Sequence, residues 1–393
     1  MDSVTNLLLT ATGVILLALV FYDIYATILR ATKHLGPFSE IINRGSWQMV
    51  SHLSQNLDRR WRHRILSSIG PLLMPILIGF FILVLLTGFA LVYLPRMETG
   101  FKIENQTQNS LIFQAFYFSG ITLLTIGYGD IVPITSVTRI AAVVEGVTGI
   151  AVISLSITYL LTVYRALERK RAVALKFYHQ ARQGADISGF LSSHFSRGRF
   201  HSLAEFLREA THDLQELLES HLEHPVIHYF HPLEVYKGFP RALFFVLETV
   251  AILNAHVDEK EYVEAGDHPD VLIAGDNARH VLFELVTSVK LETHATEPFE
   301  SEAETLLRLR KCFNRAMKHL QKSKIKTRAD IEQAFLEYAA DRSAWERQLY
   351  HFANFLGYDW DEVTGDRSLD DATDDEVTER HEALTTGEEA TNR

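Results

Sequence analysis

The chain has 393 residues, 38 Lys and Arg against 49 Asp and Glu, and a formal net charge of −11. That balance, with no basic domain in it, argues against a nucleic-acid partner. One cysteine, Cys312, excludes an intramolecular disulfide and fits a reducing compartment. The mean hydropathy of +0.02 conceals a partition into an apolar first part and a charged, helical remainder. No Walker loop, zinc-ligand pattern or dinucleotide fingerprint is present. Gly275-Asp276-Asn277-Ala278 lacks a second phosphate-binding glycine and reads as a turn. The expectation is a protein that is not an enzyme and carries no cofactor.

Leu7 to Leu29 is an apolar run of bilayer length, which takes about 20 residues. Its N-terminal flank has Asp2 and no base, unlike a cleaved signal peptide. Its C-terminal flank is basic, with Arg30 and Lys33, then Arg44, Arg59, Arg60, Arg62 and Arg64. The positive-inside rule therefore puts the N-terminus outside and a loop over 31–64 in the cytoplasm. Within it Ile41, Ile42, Trp47, Met49, Val50 and Leu53 form an amphipathic pattern that suits either a membrane surface or a cytoplasmic core. Ile65 to Leu94 is the second span, with Pro71 and Pro75 inside it and Pro95 at its close. A short outer loop, Arg96 to Asn109, holds the sequon Asn105-Gln106-Thr107, too near the membrane for ready glycosylation.

Asn109 or Ser110 offers an N-cap for the apolar segment ending at Leu124. That segment is too short to span, so it predicts a re-entrant helix, which only surrounding protein permits. Pro133 ends the loop after it, and Thr135 to Tyr164 is the third span. Arg165, Arg169, Lys170 and Arg171 follow, so both basic flanks agree on a cytoplasmic C-terminus.

Thr125-Ile126-Gly127-Tyr128-Gly129-Asp130 lies between the re-entrant segment and the third span. Two glycines around an aromatic residue suit a backbone that alternates left- and right-handed conformations and so points successive carbonyls one way. With the Thr125 hydroxyl, such a column offers oxygen cages in place of a cation's hydration shell. These residues resemble the selectivity filter of the potassium-channel superfamily. The resemblance extends over about Pro71 to Tyr164, as outer helix, re-entrant helix, filter and inner helix.

The resemblance implies an all-α membrane protein with a tetrameric potassium-channel pore unit plus a cytoplasmic helical domain. One filter per chain implies a homotetramer in a lipid bilayer, with K+ as permeant ion. Thr125, Ile126, Gly127, Tyr128 and Gly129 would line the ion path, with Asp130 at the outer mouth. Tyr117 and Phe118 take the place of an aromatic cuff that is tryptophan in many relatives. Ile121 stands where some relatives have a glutamate, and Leu124 replaces a common threonine. On the inner helix Gly149 matches a hinge position, with tight helix packing as the other reading, and Ile150, Ile153, Ile157 and Leu161 fall on a pore-facing gate stripe.

Glu145, an acid inside a span, either supports the filter from behind or is a carboxyl bonded to a neighbouring helix. Asp23 reads as a partner for loop bases such as Arg64. Ser154, Thr158 and Thr162 read as hydroxyls bonded back to their own helix. The first helix lies outside the minimal unit and, with Arg30 alone at its end, is not a voltage sensor.

After Ala166 the periodicity predicts helices over Ser202–Glu223, Arg241–His256, Asp270–Leu291, Glu302–Gln321 and Arg328–Leu356. Gly184, Gly189 and Gly198 mark a flexible joint. Ala242–Leu253, interrupted by Glu248, is the expected core helix. His212, His221, His224, His228 and His231 read as core or surface histidines rather than a metal or proton sensor. The domains are then 1–30, 31–64, 65–165, a regulatory 166–365 with an unidentified soluble regulator, and an acidic tail 366–393 expected to be disordered. The rivals to a passive potassium channel gated from the cytoplasm are a membrane-anchored signalling protein with a vestigial pore and a potassium-transporter subunit.

Overall fold

The computed structural model describes residues 3–30, 35–104, 110–180, 187–234, 237–265, 268–291 and 300–365. Lys33, the 105–107 sequon, Asn109, Gly184 and the acidic tail lie outside the described residues. The chain forms two compact units, Met1–Gln48 with Gly70–Arg165, and Met49–Ile69 with Ala166–Arg393.

The first unit begins with α1 (Ser3–Ile24), which runs on as a π-helical turn, Tyr25–Leu29. Next come α2 (Pro37–Ser54), α3 (Arg59–Tyr93), a 3-10 turn Leu94–Arg96 and α4 (Met97–Gly100). After them stand β1 (Phe101–Ile103), α5 (Leu111–Leu123), β2 (Ile131–Pro133) and α6 (Ser136–Gln180). The helices α2, α3 and α6 each give residues to both units. Among the described residues, three helical stretches are long and apolar enough to cross a membrane: Ser3–Leu29, Arg59–Gly100 and Ser136–Gln180.

Two glycines let α1 lie against α3. A Cβ on Gly13 would stand 2.6 Å from the Gly88 carbonyl oxygen, and one on Gly88 would stand 2.8 Å from Leu17. Such close backbone approach is what holds helices together where lipid removes the hydrophobic drive. Pro71 and Pro75 sit inside α3 without ending it. The third span does not stop at Tyr164 as a helix: α6 continues to Gln180. The basic residues there end the apolar run, but Arg, Lys and Ala are good helix formers.

Asp23 corrects another expectation. It does not pair with Arg64; it caps α2. Its Oδ2 accepts from the Phe38 N–H at 2.6 Å, and its Oδ1 accepts from the Ser39 and Thr27 hydroxyls. A helix N-terminus presents unpaired N–H groups and the positive end of the dipole, so a buried carboxylate finds both donors and charge there.

The second unit is helical: α7 (Ile187–Ser193), α8 (Leu203–Glu223), a 3-10 turn Pro225–Tyr229, α9 (Phe239–His256), α10 (Pro269–Ser288), α11 (Glu302–Lys322), α12 (Ile331–Phe355) and α13 (Trp360–Thr364). The five predicted runs differ from α8, α9, α10, α11 and α12 by at most three residues at an end. The expected core helix lies within α9, which is buried almost throughout. Glu248 on it takes the Tyr338 hydroxyl at 2.6 Å and the Arg342 guanidinium.

The joint expected around Gly189 and Gly198 is folded over its described part. Here α7 is followed by a hairpin of β3 (Phe195–Ser196) and β4 (Arg199–Phe200), with Gly198 at φ 80° in its turn. Phe190 and Leu191 between those glycines, and Phe200 just after them, are buried in the core. Apolar burial outweighs the freedom the glycines would give.

The five histidines do not converge on one site. His221 and His228 pack with ring centres 4.9 Å apart and planes tilted by 52°, whereas His231 turns to His63. Burial, with each other's charge added for His221, holds both well below the usual histidine range, His228 at about 3. His256, buried against Phe313, lies at about 4. A histidine lowered on folding is neutral in the folded protein and charges once unfolded. Its stabilisation is complete above the ordinary value of about 6.5 and is lost as pH falls towards 3. Thermal unfolding of the detergent-solubilised protein should therefore move to lower temperature between pH 7.5 and pH 5, with the helical unit melting first. A midpoint that holds or rises on acidification would contradict this.

Candidate ion pathway

The re-entrant helix α5 starts as its sequence predicts. The Ser110 hydroxyl accepts from the Phe113 N–H at 3.3 Å, and the helix ends after 13 residues. The chain then turns back on the last turn of α5. Thr125 donates its N–H to the Thr122 carbonyl at 3.0 Å, and the Ile121 carbonyl accepts from both Ile126, at 2.8 Å, and Gly127, at 3.2 Å.

Beyond that point the backbone alternates. Thr125, Gly127 and Gly129 have φ of 57°, 58° and 83°, while Ile126 and Tyr128 between them stay in the negative range. Glycine takes the left-handed state without a Cβ clash. Thr125 does not, at a cost of roughly 1–2 kcal/mol. The bond from its N–H to Thr122 helps hold it there.

The far end of this strand is fixed by a feature the sequence reading missed. In the loop before α5, β1 pairs antiparallel with β2, Lys102 opposite Val132. Glu104 donates to the Asp130 carbonyl at 3.0 Å, and Ile134 to the Gly100 carbonyl at 2.9 Å. Three-residue strands leave too short an alternation to be seen. The two cuff residues divide their work. The Tyr117 hydroxyl donates to Asp130 Oδ2 at 2.9 Å. Phe118 is buried edge-to-face against Tyr93 and Phe101, at 5.1 and 4.8 Å.

Glu145 on α6 is fully buried and joins three helices. Its Oε2 accepts from the Tyr93 hydroxyl of α3 at 2.7 Å, and Oε1 lies 2.5 Å from the Ser119 hydroxyl of α5. Ser119 also reaches the Leu86 carbonyl of α3 at 3.0 Å. One turn later α6 touches α5 again: a Cβ on Gly149 would fall 1.9 Å from the Leu123 carbonyl oxygen. Glycine is thus required there for packing, whether or not it also bends. Ile150, Ile153, Ile157 and Leu161 are all exposed on the single subunit, as is Tyr128 at 70%. Thr158 and Thr162 bond back to Ser154 and Tyr159 carbonyls of their own helix, at 3.1 and 2.8 Å.

Comparison with known proteins agrees with this layout. Residues 79–166 match a family model described as ion channel. An uncharacterised membrane protein, YdjJ of Bacillus subtilis, is 24% identical over 249 residues, 63% of this chain and 70% of the relative. Two-pore potassium channel 4 of Arabidopsis thaliana is 52% identical over 44 residues, which are 11% of this chain and 16% of that channel. Protein LctB of Bacillus caldotenax is 36% identical over 74 residues, 17% of this chain and 54% of that protein. The chain thus spans about a sixth of the plant channel and about half of LctB. No solved structure matches. Residues 79–166 thus resemble an ion-channel domain, and a 44-residue stretch of the chain is similar to a plant potassium channel.

The bonds of Glu145 set an expectation for its variants. Glu145→Gln keeps an acceptor for Tyr93 and should melt close to the parent protein. Glu145→Ile leaves the buried Tyr93 hydroxyl unpaired, at about 1–3 kcal/mol, while Ser119 keeps the Leu86 carbonyl. A melting temperature unchanged in Glu145→Ile, measured in detergent, would show that the three-helix tie carries no stability.

Proposed function

We propose that this protein is a potassium-selective channel that passes K+ passively along the axis of four identical subunits. The observation that carries the reading is the alternation of left-handed Thr125, Gly127 and Gly129 with Ile126 and Tyr128, whose φ stay negative. That alternation turns successive carbonyls to one side, and four such strands about an axis would replace the hydration shell of a monovalent cation. Exposure of Tyr128 and of the Ile150, Ile153, Ile157 and Leu161 stripe on one subunit supports the same reading. These are the apolar groups that neighbouring subunits or the pore would take up.

In this reading Tyr117 braces the outer mouth through Asp130, and Glu145 supports α5 and hence the filter through Ser119. The isoleucine and leucine stripe closes the inner pore by dewetting, with Gly149 as pivot. The N-terminus lies outside the cell membrane and the helical domain is a cytoplasmic regulator of the gate.

Reconstituted in liposomes, the protein should pass K+ in strong preference to Na+. Gly129→Ala, which places a Cβ at φ 83°, should abolish that preference while the tetramer survives on its helix packing. Equal K+ and Na+ fluxes in the parent protein, or an unchanged preference in the variant, would overturn the reading. The proposed orientation has its own check. A reporter fused at the N-terminus should read as extracytoplasmic and one at the C-terminus as cytoplasmic, and an inner N-terminus would refute it.

A further inference from the structure

The first turns of α3 belong to the helical unit, and a chain of buried polar groups holds them there. His63 on α3, His231 after the Pro225–Tyr229 turn and Glu362 on α13 are all nearly inaccessible, at 3%, 5% and 0% exposed. His63 Nε2 lies 3.0 Å from Glu362 Oε1, and His63 Nδ1 lies 2.6 Å from His231 Nε2. His231 Nδ1 lies 3.0 Å from the Leu356 carbonyl oxygen. The two rings are 17° from parallel with centres 4.9 Å apart, which is an edge-to-edge pair joined through its nitrogens.

The protons can be counted. The Leu356 carbonyl only accepts, so His231 Nδ1 carries a proton and its Nε2, in the neutral ring, accepts from His63 Nδ1. Glu362 is ionised. Burial pushes its carboxyl up, but the hydrogen bond and charge of His63 and the Arg59 guanidinium outweigh that and hold it at about 2. The link from His63 Nε2 to Glu362 therefore needs a third proton. Three links need three protons on two rings, one imidazolium and one neutral imidazole. A fourth proton would set two cations 2.6 Å apart. One fewer would turn a ring lone pair against a carboxylate.

We propose that the His63–His231–Glu362 chain is a proton-operated latch, which pins the start of α3 to the helical domain at one protonation state and releases it on acidification.

The charged and titratable groups facing the latch come from every element around it. On α3 they are Arg59, bonded to Glu362, and Arg62, 2.7 Å from Asp359. From α6, Lys170 donates to the Phe230 carbonyl at 3.2 Å, and from α9, Arg241 donates to the Glu362 carbonyl. Tyr358 packs 4.5 Å from the His231 ring, and His228 lies in the turn before it. The cations among these leave no compensation for a second charged imidazole. Burial first, and then the charge of His63, keep His231 at about 3. Lowered on folding, it favours the closed latch above about 6.5 and opposes it as pH falls through that range. Because α3 continues as a membrane-crossing helix, release of its start is a change delivered to the proposed pore's outer helix. The latch itself does not rest on the pore reading.

Hydrogen exchange of the full-length protein, corrected for intrinsic rates and followed by mass spectrometry from pH 5 to pH 9, tests this. Protection of peptides within 59–69 should pass through a maximum and fall on the acid side by about ten-fold per pH unit, the limit for uptake of one proton. Peptides of α12, which carry none of the latch residues, should show a weaker acid dependence. His231→Gln can donate to Leu356 and accept from His63 but cannot take a proton, so it should keep the protection and lose the acid limb. His63→Gln, which removes the neighbouring charge but leaves the burial of His231, should weaken the acid limb, and it stands in if the first variant does not fold. A flat profile in the parent protein, or an acid limb unchanged in either folded variant, would overturn the proposal whatever the ion flux shows.

Discussion

A backbone that turns back inside a membrane has no water to bond, so its N–H and C=O groups must all find protein. Much of the first unit answers that demand. The Ile121 carbonyl, freed where α5 ends, takes two N–H groups of the returning strand. The Asp130 carbonyl is taken by Glu104, which requires the loop before α5 to come back as β1. Asp130 Oδ2 is taken by Tyr117, one of the cuff residues. The short strands, the 3-10 turn and the aromatic packing of Tyr93, Phe101 and Phe118 follow from it, because they place those donors.

The second unit solves a different problem. Arg342 is buried between Glu248 and Glu346, and Arg308 makes a two-toothed pair with Glu346 at 2.9 and 3.3 Å. Taking such charges from water costs about what the pairing returns, so a buried network of this kind is weak support for stability. The stabilisation comes from the apolar burial of α9, α8 and α10. The network's contribution is to fix which face of α12 meets α9, since any slip would strand a charge.

What could be read from the sequence divides by range. The three spans, the short re-entrant helix with its Ser110 cap and the five long helices of the second unit are local patterns of hydropathy and capping, and each was legible. So was the left-handed backbone at Gly127 and Gly129, because φ above zero restricts composition. Thr125 was legible only as a hydroxyl; its left-handed backbone was not. The Asp23 cap was missed because its partners, Phe38 and Ser39, look like any loop residues until the chain has turned. His63 lies among the bases of that loop and was not singled out. Its partners lie 168 and 299 residues away, and no spacing rule reaches that far. The same holds for Tyr93 and Ser119 at Glu145: an acid in a span announces a partner but not which one.

The resemblance to potassium channels sets the glutamate of some relatives at Ile121, beside the proposed filter. Here the Ile121 carbonyl is already engaged, and the carboxyl stands instead on α6. The exchange has a mechanical consequence. Glu145 and Gly149 are four residues apart, so they lie one above the other on a single face of α6. Both touch α5, one through Ser119 and one through the Leu123 carbonyl. A carboxyl on α5 would move with the filter and leave the inner helix free. With the carboxyl on α6, any displacement of that helix above Gly149 pulls on the residues from which the filter starts, and bending below Gly149 leaves both contacts intact. On the pore reading, the position of one acid thus decides whether the inner helix and the filter move as one body or two.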